Sequence, residues 1–394
     1  MVTMEIYFDN SATTCVSAKA ADAALRAMRE DFGNPSSVHG KGAAAFHALN
    51  EARSTFAKYL NVASQEIYFT SCGTESNNIV LQGVAKARGK GAKILVSAIE
   101  HPSVYEPTRY LLSSGYDVSY IPVNQEGIIQ LDALEKMADH DTALVSIMHV
   151  NNETGAIQPL RSAGDIIKSV APQAIFHIDA VQSFGRLPLD FAGWKADAAS
   201  MSGHKIHAPK GVGLLWLRKG VNIPALILGG GQEYGFRSGT ENMSSILAFA
   251  AAVEECYSDM DSNYAAMQKV KDTLWENLQR LIPSCTINGP LDDRAAAHIV
   301  NISFPGIRSE VMLHSLEAKG IFVSAGSACT AKSSKGSRIL TAMGLDDARI
   351  DSALRFSFSR YNTVEEAVYV ASAAADVVNE ISGFMNFTKR KQRR

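Results

Sequence analysis

The sequence predicts an α/β fold with two domains, a large one built on a mostly parallel sheet and a smaller α/β one. Three observations support this prediction. The 394 residues are enough for two domains. Short and almost wholly apolar strands alternate with helical segments up to about residue 180, which is typical of parallel sheets covered on both faces. From residue 244 the pattern changes to a long helical segment followed by three short strands.

The elements of the large domain alternate along the chain. Strands are predicted where β-branched, aromatic and other apolar residues form short runs, at 66–70, 94–96, 143–148 and 175–178. Helices are predicted between these runs, at 74–88, 104–113 and 160–170. Because single strands of this kind cannot bury both faces alone, we expect them to share one sheet with helices on either side.

The smaller domain is predicted to follow the helical segment 244–282. Its strands are expected at 299–304, 321–324 and 354–359, with helices between them. A further strand at 6–9 could pack with either domain. We assign residues 15–255 to the large domain, and residues 1–14 and 256–394 to the small one.

Composition and charge narrow the class of protein. Hydrophobic residues make up 46% and charged residues 20% of the chain, which is ordinary for a globular protein. The net charge of −2 gives no general attraction to nucleic acid or membranes. No apolar stretch predicts a membrane span, and the first residues do not resemble a signal peptide. The basic end at 389–394 is interpreted as a solvated terminus, with docking or tRNA contact as the alternative.

The five cysteines indicate a reducing compartment, and we expect a cytoplasmic protein. They are few, odd in number and without the spacing of metal ligands, so no metal site is predicted. At least one thiol is therefore available for chemistry. The cysteines are Cys15, Cys72, Cys256, Cys285 and Cys329.

Two polar clusters follow predicted strands, where open α/β sheets bind their ligands. Small and hydroxyl residues at 70–78 precede a helix whose free N–H groups and positive dipole end suit a phosphate. Thr74 could instead serve only as a helix cap. Asp179 ends an apolar strand, where a carboxylate is costly unless it is paired. Its partner could be the protonated ring nitrogen of a cofactor or an ordinary basic side chain.

Three more clusters lie further along the chain. Lys205 follows His204 in a Ser/Gly-rich turn between apolar strands, which is not the context of a surface lysine. Buried lysines have lowered pKa values and react with carbonyl groups. The second of these clusters is the polar segment 237–242, which follows three glycines. Cys329 lies in a small-residue loop near lysines, a setting that lowers a thiol pKa, although a partly buried structural thiol is the alternative.

Taken together, these segments resemble the cysteine desulfurases, in the branch that includes the enzymes of iron–sulfur cluster assembly and tRNA thiolation. The likeness spans almost the whole chain and rests on residues 7–14, 32–37, 148–155, 202–205, 237–240, 326–329 and 355–357. It implies fold type I of the pyridoxal-phosphate (PLP) enzymes, which is the aspartate-aminotransferase fold. It also implies PLP as cofactor and a homodimer with sites built at the subunit interface.

The resemblance assigns a role to individual residues. It implies that Lys205 binds PLP covalently, Asp179 pairs with the pyridine nitrogen and Gln182 bonds the phenolic oxygen. His101 is implied to stack on the cofactor ring and is counted, with Lys205 and Cys329, among the catalytic residues. The implied phosphate ligands are Gly73, Thr74, Ser202, His204 and, across the dimer, Thr240.

The resemblance also implies how the substrate is handled. Asn152 and Arg355 are expected to hold the cofactor and the carboxylate of L-cysteine. Cys329 is expected to receive the sulfur as a persulfide, with L-alanine as the other product. The acceptor of that sulfur is expected to be an iron–sulfur scaffold protein or a tRNA-thiolation enzyme. Direct binding of nucleic acid or a membrane is not expected.

Several alternatives remain open from the sequence. Cys72 stands where relatives commonly have glycine, so it is a rival thiol; we favour Cys329 because the resemblance and its small-residue loop agree. A selenocysteine lyase or a small-amino-acid aminotransferase would share the fold, which does not separate these activities. A scaffold protein without activity is disfavoured because Lys205, Asp179, His101, Arg355 and Cys329 are all present.

Overall fold

The structure, a computed structural model, describes residues 5–326 and 336–392, with side chains up to residue 381. In chain order its first elements are β1 (Ile6–Tyr7), α1 (Ala18–Arg29), α2 (Gly40–Leu60), β2 (Ile67–Thr70), α3 (Gly73–Arg88), β3 (Lys93–Ser97), α4 (Pro102–Ser113), β4 (Asp117–Ile121), α5 (Leu131–Met137), β5 (Thr142–Met148), α6 (Leu160–Val170), β6 (Ile175–Asp179), β7 (Ala198–Ser202), β8 (Gly213–Leu217) and α7 (Met243–Ser258). They are followed by α8 (Met260–Leu281), β9 (Thr286–Ile287), β10 (Ile299–Ser303), α9 (Ser309–Glu317), β11 (Ile321–Phe322), α10 (Arg338–Ala342), α11 (Asp347–Asp351), β12 (Ala353–Ser357) and α12 (Val364–Gln392).

A seven-stranded sheet forms the centre of the first part of the chain, in the order β2-β8-β7-β6-β5-β3-β4. Strand β8 runs antiparallel to both of its neighbours, and the other six strands run parallel to one another. Every residue of β5, β6 and β7 is buried, because helices cover both faces of the sheet. The carboxyl ends of β2, β5, β6 and β7 therefore meet at one edge, where a ligand site is expected.

The later part of the chain forms smaller sheets. Strands β12, β10 and β9 pair antiparallel, and β1 pairs parallel with β11. Isolated bridges from Asp9 to Ser357 and from Ser324 to Arg355 join the β1–β11 pair to β12. Ile6 and Phe8 accordingly belong to a hydrophobic cluster formed with α8, α12 and these strands. The N-terminal strand thus packs with the later part of the chain, although the boundaries of the two predicted domains stay a prediction.

The structure differs from the predicted elements in several places. The helical segment 244–282 is two helices, because the backbone at Asp259 leaves the helical region with φ −130° and ψ 30° between α7 and α8. The strand predicted at 321–324 is shorter, at 321–322, and Ser324 forms only an isolated bridge. Helices α1, α2 and α5 and strands β4 and β9 were not predicted. Among the helices of residues 5–326 and 336–392, none has the length and apolar composition needed to cross a bilayer.

Candidate active site

A cavity of about 290 Å³ lies at the carboxyl ends of β5, β6 and β7 and at the first turn of α3. The strands bring together residues that are far apart in the sequence, since each strand ends at the same edge of the sheet. Ten of the twelve predicted site residues line this cavity: Gly73, Thr74, His101, Asn152, Asp179, Gln182, Ser202, His204, Lys205 and Arg355. Thr240 does not line it, and Cys329 lies outside the described residues.

Lys205 enters the cavity from the turn after β7. Its Nζ atom donates hydrogen bonds to the carbonyl oxygens of Ser11 and Ala12, at 2.5 and 2.8 Å. Burial, and then the positive charges of Arg355 and Arg186, lower the pKa of the lysine to about 7. Near neutral pH a large share of Lys205 is therefore the neutral amine, which is the form that attacks a carbonyl carbon.

Asp179 ends β6 and is almost completely buried. Its Oδ1 atom accepts from the backbone N–H of Val181 at 3.0 Å, and its Oδ2 atom accepts from Asn77 Nδ2 at 2.8 Å. Burial raises the pKa of this carboxyl group in spite of the two donors. A cationic group in the cavity would stabilise the ionised form, so Asp179 suits a protonated ring nitrogen.

The first turn of α3 also lines the cavity. The first N–H groups of a helix lack partners within the helix and attract anions. A Cβ atom on Gly73 would lie 2.7 Å from a methyl group of Val181, so a larger residue would crowd the turn. The hydroxyl of Ser202 is buried and has no hydrogen-bond partner among the described residues. These donors fit a phosphate group.

His204 also lines the cavity, as a neutral side chain. Burial, and then the positive charge of Lys205, lower its pKa to about 4. Nearby, Glu75 is held by Arg237, whose Nε lies 2.8 Å from Oε1 of the carboxylate. Burial alone would raise the pKa of Glu75, but the hydrogen bonds from Arg237 and Ser71 outweigh it and lower the pKa. The negative charge of Glu75 is thus balanced by Arg237, close to the position expected for the phosphate.

Arg355 lies on β12 and reaches the cavity from the later part of the chain. Its Nη2 atom lies 2.6 Å from Asp9 Oδ1, and its Nη1 atom donates to the carbonyl oxygen of Asn152 at 2.9 Å. The Nε atom of Arg355 and the Oδ1 atom of Asn152 are buried without a partner among the described residues. Because unpaired buried polar atoms are costly, both atoms are suited to bind a polar ligand.

The two described ends that flank residues 327–335 lie beside this part of the site. Ser324 and Arg355 exchange backbone hydrogen bonds of 3.1 and 2.7 Å. On the other side, the hydroxyl of Ser337 donates to the buried carboxylate of Glu153. The described residues on the two sides of 327–335 therefore lie beside Arg355 and Glu153.

His101 caps the N-terminus of α4. Burial, and then the positive charges of Lys205 and Arg338, lower the pKa of its imidazole to about 4. The ring is therefore neutral at physiological pH. Its side chain lines the cavity together with those of Lys205 and Asp179.

Thr240 lies in a separate cavity of about 140 Å³, which is also lined by Ser71 and Arg237. The prediction that it binds phosphate from across a dimer stays a prediction. The sequence analysis did not assign several residues that the structure places in contact with site residues, among them Asp9, Asn77 and Ser103. Asn77 lay within the cluster 70–78, but no local pattern pairs Asp9 with Arg355, which is 346 residues away.

Known proteins match this chain over nearly its full length. The sequence model of the aminotransferase class-V family matches residues 6–370. The cysteine desulfurase IscS of Methanosarcina thermophila is 40% identical over 389 residues, which is 98% of this chain and 95% of the relative. The chain belongs to the cysteine desulfurase family. The cysteine desulfurase IscS of Vibrio atlanticus is also 40% identical, over 96% of this chain and 94% of its own length.

Solved structures of this family share the fold. A NifS-like protein has a TM-score of 0.90 at 39% identity, covering 95% of this chain and 100% of that one. A structure described as SspA in complex with cysteine has a TM-score of 0.80 at 31% identity, covering 91% and 100%. The predicted family, fold class and enzyme class of the sequence analysis are thereby confirmed.

Proposed function

We propose that this chain is a PLP-dependent enzyme that converts L-cysteine and the thiol of Cys329 into L-alanine and a persulfide on Cys329. The main support is the meeting of Lys205, Asp179 and Arg355 in one cavity. A nucleophilic amine, a buried carboxylate and a buried guanidinium are the groups that an amino-acid enzyme of this family requires. The reaction balances, since the SH group of the substrate passes to the sulfur of Cys329 and one hydrogen from the Cys329 thiol takes its place on the substrate carbon.

The residues present fit PLP at each of its polar positions. Lys205 would hold its aldehyde carbon, Asp179 its ring nitrogen and Gln182 its phenolic oxygen. The first turn of α3, with Ser202 and His204, would hold its phosphate, and the buried unpaired hydroxyl of Ser202 supports this. PLP, when bound, supplies an electron-withdrawing ring that allows the Cα–H and C–S bonds of the substrate to break.

The side chains of the cavity divide the remaining tasks. Arg355 offers a guanidinium to the substrate carboxylate, and Asn152 adds an amide beside it. The neutral amine of Lys205 takes the Cα proton as general base, for which a pKa of about 7 is well suited. The neutral imidazole of His101 would stack on the cofactor ring without adding a positive charge.

The sulfur acceptor within the chain is proposed to be Cys329, on the strength of the family motif. A thiolate attacks a sulfur atom as in thiol–disulfide exchange. Ser324, which precedes the Cys329 segment, bonds to Arg355, and this supports delivery of the thiol to the substrate side of the cavity. Cys72 lines the same cavity at the expected phosphate end, which makes it the second candidate thiol.

A homodimer is proposed for the working enzyme. Thr240 lies in a different cavity from the other predicted phosphate residues, which supports a contribution from Thr240 to the site of a second copy of the chain. Large apolar side chains such as Phe32, Val38, Leu228 and Tyr234 are exposed in a single copy, and a partner would cover such residues. We further propose a cytoplasmic enzyme that delivers sulfur to an iron–sulfur scaffold protein or a tRNA-thiolation enzyme.

Three cysteine variants test the proposal when each is incubated with L-cysteine and assayed for alanine and for sulfur on each cysteine. Cys329→Ser should lose persulfide formation while it still binds PLP. Cys72→Ser should still carry sulfur on Cys329, and the exposed Cys15→Ser is the matched control. A selenocysteine lyase would turn over selenocysteine but not L-cysteine, and an aminotransferase would need a keto acid and be indifferent to Cys329. Alanine formation at the wild-type rate by Cys329→Ser would contradict the assigned role.

A further inference from the structure

The ring of His101 is held by its neighbour Ser103. The backbone N–H of Ser103 lies 3.1 Å from Nδ1 of the ring, as expected of a residue that caps a helix. A backbone N–H can only donate, so Nδ1 must be the acceptor and carries no proton. The hydroxyl of Ser103 lies 2.7 Å from the same nitrogen atom and must donate to it as well. The single proton of the neutral ring is therefore on Nε2.

Asn77 continues this hydrogen-bond chain to Asp179. Its Nδ2 atom lies 2.8 Å from the hydroxyl oxygen of Ser103 and 2.8 Å from Oδ2 of Asp179. An ionised carboxylate only accepts hydrogen bonds, so the amide nitrogen of Asn77 must face it. One amide hydrogen then goes to Asp179 and the other to Ser103. The hydroxyl hydrogen of Ser103 is left with His101 as its acceptor.

Most of this chain of bonds is buried. Asn77 is fully buried, and Ser103 and Asp179 are nearly so. The Oδ1 atom of Asn77 has no partner among the described residues, so only its two N–H donors are used. Buried networks of this kind hold one arrangement because water does not compete for the donors.

A second group holds the backbone that carries His101. The guanidinium of Arg338 donates to the carbonyl oxygens of Ala98 and Glu100, immediately before His101. It also lies over the ring of Tyr105, 3.9 Å from the centroid. The turn is thus fixed from the side of α10, while the imidazole is fixed from the side of α3.

We propose that Ser103 and Asn77 are positioning residues that hold His101 as its neutral Nε2–H tautomer and hold Asp179 through the same amide group. Given the proposed function, His101 then meets the bound molecule as a hydrogen-bond donor rather than as a base. Proton removal is left to Lys205. One hydrogen-bond network therefore holds both His101, which is expected to stack on the cofactor ring, and Asp179, which is expected to pair with its nitrogen atom.

The tautomer can be measured directly by NMR on the cofactor-free protein with ¹⁵N-labelled histidine rings, at pH 7.5. Two-bond ¹H–¹⁵N correlations distinguish a protonated ring nitrogen from an unprotonated one. The chain has ten histidines, and loss of one signal set in His101→Gln assigns the ring of interest. We expect an unprotonated Nδ1 and a protonated Nε2. A protonated Nδ1, or a doubly protonated ring, would overturn the proposal whether or not the protein proves to be a desulfurase.

Two variants test the network itself. Asn77→Asp cannot donate to Ser103, so the hydroxyl of Ser103 should turn away and the Nδ1 signal of His101 should shift. Asn78→Asp is the matched control, because the side chain of Asn78 bonds instead to Thr74 and Gln82 on the same helix. If Asn77→Asp does not fold, Ser103→Ala should give the same displacement of the Nδ1 signal. A spectrum of the folded variant that matches wild type at His101 would refute the role of the substituted residue.

Discussion

Capture of PLP by the cofactor-free protein is expected to follow the titration of Lys205. The amine attacks the aldehyde only in its neutral form. Burial and the charges of Arg355 and Arg186 lower the pKa of Lys205 from 10.5 to about 7. A lowered pKa means that the amine is already neutral at lower pH. The rate of capture should therefore rise through neutral pH and level off well below the ordinary range of lysine.

The size of the effect follows from the two pKa values. With a pKa of about 7, the neutral fraction is about a tenth at pH 6 and about nine-tenths at pH 8. With the ordinary pKa it is only about 0.3% at pH 8 and rises about tenfold with each further pH unit. We expect the rate constant to increase about tenfold between these two pH values and then to stay constant.

The assay is stopped-flow absorbance of the lysine-bound cofactor after mixing PLP with cofactor-free protein. Nα-acetyl-lysine provides the reference, since it shows the titration of PLP itself with an unperturbed amine. Arg355→Gln removes a cation and should move the profile to higher pH. Asp9→Asn removes an anion that raises the pKa and should move it to lower pH. A rate that keeps rising above pH 8 as it does for Nα-acetyl-lysine would refute the reasoning.

Two further substitutions test packing and charge. Glu233→Gln leaves the buried Arg53 without its ionic partner and should lower the free energy of unfolding in urea by about 3–5 kcal/mol. Glu254→Gln, in the exposed pair with Lys19, should lower it by less than about 1 kcal/mol. Equal losses in the two variants would contradict the account. Gly73→Ala places a Cβ atom 2.7 Å from Val181, so PLP affinity measured by absorbance titration should fall about tenfold. Gly40→Ala, with open space at its Cβ position, should leave that affinity unchanged.

The polar clusters at the ends of strands could be predicted because the residues that indicate them are adjacent in the sequence. The apolar run before Asp179 and the Ser/Gly-rich turn before Lys205 each predicted a polar group at the end of a buried strand. Both residues line the cavity, as does Arg355. The resemblance to the family supplied the identity of the expected ligand, which the residue pattern alone left open.

The features that the sequence did not predict depend on contacts between residues far apart in the chain or on backbone changes without a sequence signal. Asp9 reaches Arg355 only because β1 pairs beside β12 through an isolated bridge. The break at Asp259 carries no proline or glycine, so the apolar pattern runs through it without a signal. Thr240 lies in another cavity of the single chain, so its predicted role at the phosphate stays a prediction.

The most direct test of the account is to locate sulfur on the protein after reaction with L-cysteine. Purified protein with PLP bound is incubated with L-cysteine, alanine is measured, and the cysteine-containing peptides are examined by mass spectrometry. The account predicts alanine together with one added sulfur atom on the Cys329 peptide. Alanine with the sulfur on Cys72 instead, or no alanine from the PLP-bound protein, would contradict it.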